Sequence, residues 1–310
     1  MPSFSRRHFL KLSGVALLAS PIGPAARLSP LWDAFAADDD AVVPEITHGR
    51  TLIATAVHAR PNETSALVER LWPDQVVPVL AASGDWYQIG NGYAKREALQ
   101  PMLVAETTSS TAPGVRAPFW AQVSGPVATV RAWCAADSSL RTRVGHGGAA
   151  QVVDVLADAQ TGAPWYAIAD ADGALIGWSQ AAMWMQVEPQ GDSLSASGKQ
   201  IALDRAAQTM IVREDRRALL RLPVSTGADL AAGTFALERG AVGGGRAEVG
   251  TEQFAGVPWQ MAFGRGWQIT GAYWHNHFGT AHPGPAVQII PEVARWLYRW
   301  ADDETLITVS

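Results

Sequence analysis

Along this chain, apolar and polar side chains alternate at a period of two over short stretches bounded by Gly- and Pro-containing turns. Gln75-Val76-Val77-Pro78-Val79-Leu80-Ala81 is followed, eleven residues after Gln75, by Trp86-Tyr87-Gln88-Ile89. The pair returns as Gln151-Val152-Val153-Asp154-Val155-Leu156-Ala157 and, fourteen residues after Gln151, Trp165-Tyr166-Ala167-Ile168. The three extra residues fall in the turn between the runs, where length changes are best tolerated. Each copy then has a Gly-aromatic step, Gly92-Tyr93 and Gly177-Trp178. Such a repeat predicts two small β-barrels built from hairpins. Beyond them, Ile201-Ala202-Leu203-Asp204 and Gln208-Thr209-Met210-Ile211-Val212 read as two strands joined by a turn. Pro291–Trp300 reads as a short amphipathic helix, and Leu306-Ile307-Thr308-Val309 as a final strand. Polar, flexible stretches divide the chain into modules at 48–101, 118–187 and 199–310, with linkers at 102–117 and 188–198. The expected fold is mainly β.

Composition narrows the classes. Of 310 residues, 48% are hydrophobic and 17% charged, which excludes a disordered chain. No apolar run reaches the roughly 20 residues of a membrane-spanning helix, so no transmembrane segment is expected in the mature chain. The net charge is −5, and the basic residues, 21 Arg and 3 Lys, are scattered, which argues against a nucleic-acid binder. A single cysteine, Cys134, excludes an intramolecular disulfide framework and a multi-cysteine zinc site. It sits in a predicted strand, where a lone cysteine serves as a small buried hydrophobe.

Three resemblances add to this picture. Ser5-Arg6-Arg7-His8-Phe9-Leu10-Lys11, followed by the apolar Leu12–Ala19, resembles a twin-arginine export signal, with a small-x-small cleavage site at Ala34-Phe35-Ala36. Residues 1–36 are therefore expected to be a signal peptide, and the mature protein to lie in the periplasm, cell wall or extracellular space. Val57-His58-Ala59-Arg60-Pro61, Asp85-Trp86-Tyr87 and Gly177-Trp178 resemble markers of bacterial SH3-like domains, which often bind cell-wall peptide or glycan. In each barrel the aromatics can equally be core filling. Arg221-Leu222-Pro223-Val224-Ser225-Thr226-Gly227, Gly233-Thr234-Phe235, Gly271-Ala272-Tyr273-Trp274-His275-Asn276 and Pro291–Trp300 together resemble the L,D-transpeptidase catalytic domain over 199–310.

That last resemblance implies peptidoglycan cross-linking, in which a cysteine thiolate attacks a peptide carbonyl, a histidine activates it and backbone N–H groups hold the oxyanion. His275 matches the upstream histidine by its context, and Tyr273, Trp274 and His275 become candidate substrate contacts. Counted back from Pro291-Glu292 without gaps, the hallmark S-H-G-C falls on Pro283, Gly284, Pro285 and Ala286, so the nucleophile position holds an alanine. A frame shifted by two puts His282 on the motif histidine and still supplies no thiol. Pro283 and Pro285 lack the N–H an oxyanion hole needs. The expected role is a non-catalytic binder of peptidoglycan or its stem peptides, or a regulator with an active L,D-transpeptidase as partner, needing no cofactor. Two alternatives stay open. One is an acyl transferase with an unidentified nucleophile, for which Thr280 and Ser225 are candidates. The other is a metal-dependent hydrolase on His275, His277 and His282, three imidazoles within eight residues.

Overall fold

The computed structural model describes residues 46–102, 116–189 and 198–310, apart from positions 216, 228, 283 and 285. The signal read over 1–36, most of both linkers, Pro283 and Pro285 lie outside the described residues. The protein is mainly β.

The first seven strands are β1 (His48–Thr51), β2 (Thr55–His58), β3 (Leu67–Leu71), β4 (Val76–Ser83), β5 (Trp86–Ile89), β6 (Gly92–Lys95) and β7 (Leu99–Met102). They form one sheet in the order β3-β2-β6-β5-β4-β1-β7. The next seven are β8 (Phe119–Val123), β9 (Val127–Arg131), β10 (Leu140–Gly145), β11 (Ala149–Ala157), β12 (Pro164–Ala169), β13 (Leu175–Gln180) and β14 (Trp184–Val187). Their order, β10-β9-β13-β12-β11-β8-β14, is the first order shifted by seven. The repeat read in the sequence is thus a repeat of topology. In each copy a single 3₁₀ turn, Arg96–Ala98 or Ala181–Met183, leads into the last strand. The longer turn of the second copy is tied by Asp158, whose carboxylate accepts the N–H groups of Gln160 and Thr161.

The Gly-aromatic step has a steric cause. A Cβ on Gly92 would lie 2.5 Å from the His58 carbonyl oxygen, and one on Gly177 would lie 2.3 Å from that of Arg131. In both copies the glycine lets β6 or β13 cross close over the end of β2 or β9. The neighbours are backbone atoms and cannot rotate away.

The remaining strands are β15 (Lys199–Asp204), β16 (Thr209–Glu214), β17 (Arg217–Pro223), β18 (Gly233–Arg239), β19 (Gly245–Val249), β20 (Glu252–Val257), β21 (Met261–Phe263), β22 (Trp267–Gly271), β23 (Ala286–Ile289) and β24 (Leu306–Val309). Eight of them form a sheet in the order β17-β16-β15-β24-β18-β21-β22-β23, and β19 pairs with β20 as a separate ribbon. The pairs β15/β24 and β22/β23 are parallel. One bridge between Ser225, just past β17, and Gln288 of β23 joins the two edges, so the sheet closes on itself. The helix α1 (Pro291–Trp300) begins with proline at its first position, where a missing N–H costs nothing. It turns Val293, Ala294, Leu297 and Tyr298 into a core that includes Ile201, Leu203, Met210, Leu222, Trp259, Ile269 and Ile307. Among the described residues no helix is long and apolar enough to cross a membrane.

Replacing Gly92 or Gly177 by Ala forces a side chain against backbone. Each change is expected to lower stability by about 1–3 kcal/mol, read as a lower midpoint in urea unfolding. Gly90, with open space around its missing Cβ and no positive φ, is the control position for steric crowding.

Candidate functional site

The seam at Gln288 organises the candidate site. Its backbone exchanges two hydrogen bonds with Ser225, at 3.0 and 2.8 Å. Its side-chain oxygen lies 2.5 Å from His275 Nε2. The other ring nitrogen of His275, Nδ1, accepts the backbone N–H of His277 at 3.1 Å. An amide N–H can only donate, so Nδ1 carries no proton and Nε2–H donates to Gln288. His275 is 4% exposed. Burial, aided by the neighbouring His282 and His277 and opposed by the bond to Gln288, pulls its pKa down to about 4. The imidazole is neutral and fully engaged at neutral pH. Both ring nitrogens therefore already have hydrogen-bond partners.

The loop over 278–282 lies along the end of β17. Gly279 N–H donates to Val224 O at 2.9 Å and His282 N–H to Thr226 O at 3.1 Å. The Ser225 hydroxyl donates to His277 O at 3.1 Å, and that of Thr280 to the same carbonyl at 2.6 Å. Ser225 is fully buried, so its hydroxyl does not face a substrate. A Cβ on Gly227 would lie 2.2 Å from Gly284 O, so the two backbones are in contact there. Gly284 is exposed, in the left-handed half of φ at 128°. Ala286 opens β23 half-buried, paired with Gln268. Cys134, the chain's single thiol, is buried with Trp165 and Trp178 in the second sheet's module.

The three histidines come together, as face-to-face rings. His275 and His282 have centroids 4.9 Å apart at 22°, and His275 and His277 are 6.0 Å apart at 19°. Nitrogen lone pairs lie in the ring plane, so near-parallel rings do not aim them at a common point between the rings. Among the described residues no group of three or more His, Cys, Asp or Glu is arranged to hold a metal.

Tyr273, Trp274 and Asn276 face the other modules. Tyr273 is 3% exposed and packs into the core of the second module beside Val144 and Tyr166. Its hydroxyl donates to Ala255 O, and burial raises its pKa well above the usual range. Trp274 stacks on Phe254 at 5.0 Å and 16°. The Asn276 amide donates to the Tyr87 hydroxyl and to Arg96 O, both in the first module.

Sequence reasoning did not reach the polar hub beside them. Arg50 of β1 is 6% exposed and donates to Gln100, to Asp74 and to Tyr273 O. Asp74, at φ 66°, also pairs with Arg143 of β10. Gln100 donates to His146 O at 2.8 Å. His146 Nε2 lies 3.0 Å from Glu292 Oε1 of α1. Burial pushes the His146 pKa down, but its hydrogen bond to the Glu292 carboxylate and that group's charge outweigh it, and the pKa ends raised. Only the positive φ of Asp74 is unusual locally, and no periodicity marks the rest.

Between the first module and the loop runs a cleft of about 250 Å³ lined by Asp85, Lys95, Arg96, Glu97, His277 and Thr280, with Asn276 and Phe278 at its floor. It carries both signs of charge and exposes His277.

No family model matches the chain, and no curated protein matches it. Among solved structures it is similar to an L,D-transpeptidase of Enterococcus faecium, at 19% identity and a TM-score of 0.31, over 36% of this chain and 49% of that one. It is similar to the L,D-transpeptidase of Xylanimonas cellulosilytica at 17% identity and 0.31, over 38% of this chain and 62% of that one. An L,D-transpeptidase of Mycobacterium tuberculosis aligns at 12% identity and 0.33, over 84% of this chain and 94% of that one. The chain thus spans about half to three-fifths of the length of the first two.

The two buried histidines predict opposite pH effects. His275 has a folded pKa near 4 against about 6.5 unfolded. Between those values the unfolded chain binds more protons, so stability falls as pH drops through this window, by up to about 3 kcal/mol. His146 has a raised folded pKa, so its contribution is full below about 6.5 and is lost as pH rises through the folded value. Urea unfolding between pH 4 and 8 should show His275→Leu with a flattened acid limb. His146→Gln should lose stability mainly on the acid side. Identical pH profiles for parent and His275→Leu would contradict the neutral, engaged imidazole.

Proposed function

We propose that this chain is an exported cell-envelope protein of the L,D-transpeptidase kind that binds peptidoglycan stem peptides without forming a covalent acyl-enzyme. Its first two modules are SH3-like domains in this reading, and residues 1–36 are a twin-arginine signal. The observation that carries the non-catalytic role is the state of His275, whose two nitrogens are spent on Gln288 and on the His277 backbone, beside a nucleophile position occupied by Ala286. The cleft between Lys95-Arg96-Glu97 and His277–Thr280 supports the binding role. Its mixed charges suit a short peptide bearing both amine and carboxylate groups. The similar structures named above are L,D-transpeptidases by name, which agrees with a cell-wall substrate. The protein would act by occupying stem peptides or by presenting them to an active transpeptidase.

Incubated with a carbapenem, the mature protein should gain no covalent mass. Ala286→Cys should gain none either, because a thiol placed there still meets an engaged, neutral His275. A stable adduct mapped within 271–290 of the parent would overturn the non-catalytic reading.

Isolated peptidoglycan sacculi should pellet the mature protein. Lys95→Glu, a charge reversal at the rim of the cleft, should weaken pelleting several-fold. Failure of the parent to pellet would overturn the binding role.

A further inference from the structure

The three modules meet at the glycine-rich turn from the end of β10 to β11, Gly145-His146-Gly147-Gly148. Its glycines admit close neighbours. A Cβ on Gly145 would lie 2.5 Å from the Tyr273 ring and 2.7 Å from the Arg50 guanidinium. One on Gly147 would lie 2.5 Å from Pro291, and one on Gly148 3.2 Å from Gly256 O. The turn has one titratable side chain, His146, and it is 6% exposed.

Both ring nitrogens of His146 face acceptors. Nδ1 lies 3.1 Å from Gly125 O, and Nε2 lies 3.0 Å from Glu292 Oε1 in the first turn of α1. A carbonyl and a carboxylate cannot donate, so a ring that satisfies both carries two protons and a positive charge. The Glu292 carboxylate relies on that charge. Its side chain is 14% exposed, and among the described residues neither oxygen accepts a hydrogen bond from another group. The other charged groups here are few. Arg50, paired with Asp74, opposes the charge on His146, and Arg143 shares Asp74 with it. Arg295, three residues on from Glu292, is favoured in its charged form by Glu292 and opposed by Arg299. Tyr273, packed on Gly145, is kept neutral by burial.

We propose that His146 and Glu292 form a proton-operated clasp by which the second module grips the start of α1. Protonated, the ring donates to both acceptors and the clasp is shut. Neutral, it has one N–H for two acceptors, so either Gly125 O or the buried carboxylate faces a lone pair. The clasp then opens, and the contact of Gly147 with Pro291 is lost. Burial disfavours the proton, but the hydrogen bond to Glu292 and its charge outweigh burial, so the folded chain holds the proton more tightly than the unfolded one. Opening therefore begins above about pH 6.5 and completes as pH rises through the folded value. Glu292 follows Gln288 by four residues, so the clasp acts close to the seam. The proposal does not depend on the stem-peptide cleft.

The test is hydrogen exchange of the whole mature chain between pH 6 and 9, with rates corrected for the intrinsic pH dependence of amide exchange. Three amides report on the clasp. His146 N–H donates to Pro126 O and Gly147 N–H to Val123 O, both at 3.0 Å, and Ala294 N–H donates to Ile290 O at 2.9 Å. Their protection should fall about tenfold over this range, as for loss of one hydrogen bond to a charged group. The paired amides of β15 and β16 should keep theirs. The His146 ring, followed by NMR, should titrate above about pH 6.5 with the same midpoint. Glu292→Gln, which keeps the side chain's size and removes its charge, should make the protection nearly independent of pH. Should that variant fail to fold, coincidence of the two midpoints in the parent carries the same test. Constant protection in the parent, a His146 midpoint below about 6.5, a pH dependence that survives Glu292→Gln, or an equal loss in β15 and β16 would each overturn the proposal.

Discussion

The two hydrogen bonds between Ser225 and Gln288 hold the third module together at its seam. Without them β17 and β23 would be open edges of an eight-stranded sheet. With them the sheet closes, and an unpaired edge, which is a template for aggregation, is removed. The same closure decides the chemistry nearby. Gln288 is held by its backbone, so its side-chain oxygen is a fixed acceptor, and it fixes the tautomer of His275. The His277 N–H then closes the ring's other nitrogen. The loop that follows is laid along Val224, Thr226 and Gly227, where glycine at 227 admits the close approach of Gly284.

From that seam the segment Tyr273–Asn276 reaches into both other modules. Tyr273 enters the second module's core, and its carbonyl receives Arg50 of the first. Asn276 is held by Tyr87 and Arg96. Arg50, Gln100, His146 and Glu292 continue the contact in a chain of buried polar groups. Buried charge is costly unless paired, and removing one partner leaves the other stranded. Here each member finds its partner on a different strand or module.

The sequence displayed what depends on local periodicity and hid what depends on partners far along the chain. The duplicated hairpins, the amphipathic helix and the last strand follow from alternation and helical spacing, and the structure has them. The Gly-aromatic step was visible as a repeated pattern, though its cause, contact with the carbonyls of His58 and Arg131, required coordinates. Arg50 and Gln100 were invisible because their partners lie up to 223 residues away. His275 was conspicuous by its context, which suggested a base. What a histidine can do is set by what its nitrogens touch, and neither Gln288 nor the His277 backbone could be assigned to it from spacing. Tyr273 and Trp274 stood out for the same reason, and they are joined to other modules' cores or stacked on Phe254.

A segment that once needs its residues for docking keeps them whatever happens to the chemistry beside it. Tyr273 and Asn276 anchor modules, and His275 between them fills a buried position whose two nitrogens are satisfied by the seam. Changing His275 would strand the Gln288 oxygen and the His277 N–H, each a buried-polar cost of about 1–3 kcal/mol. No such constraint holds Ala286, whose methyl occupies a half-buried strand end and whose backbone alone serves the pairing with β22. On the reading proposed above, this asymmetry explains why the catalytic thiol is absent while the surrounding Tyr-Trp-His-Asn run is intact. On that reading position 286 answers to catalysis alone, whereas His275 also fills a place in the fold.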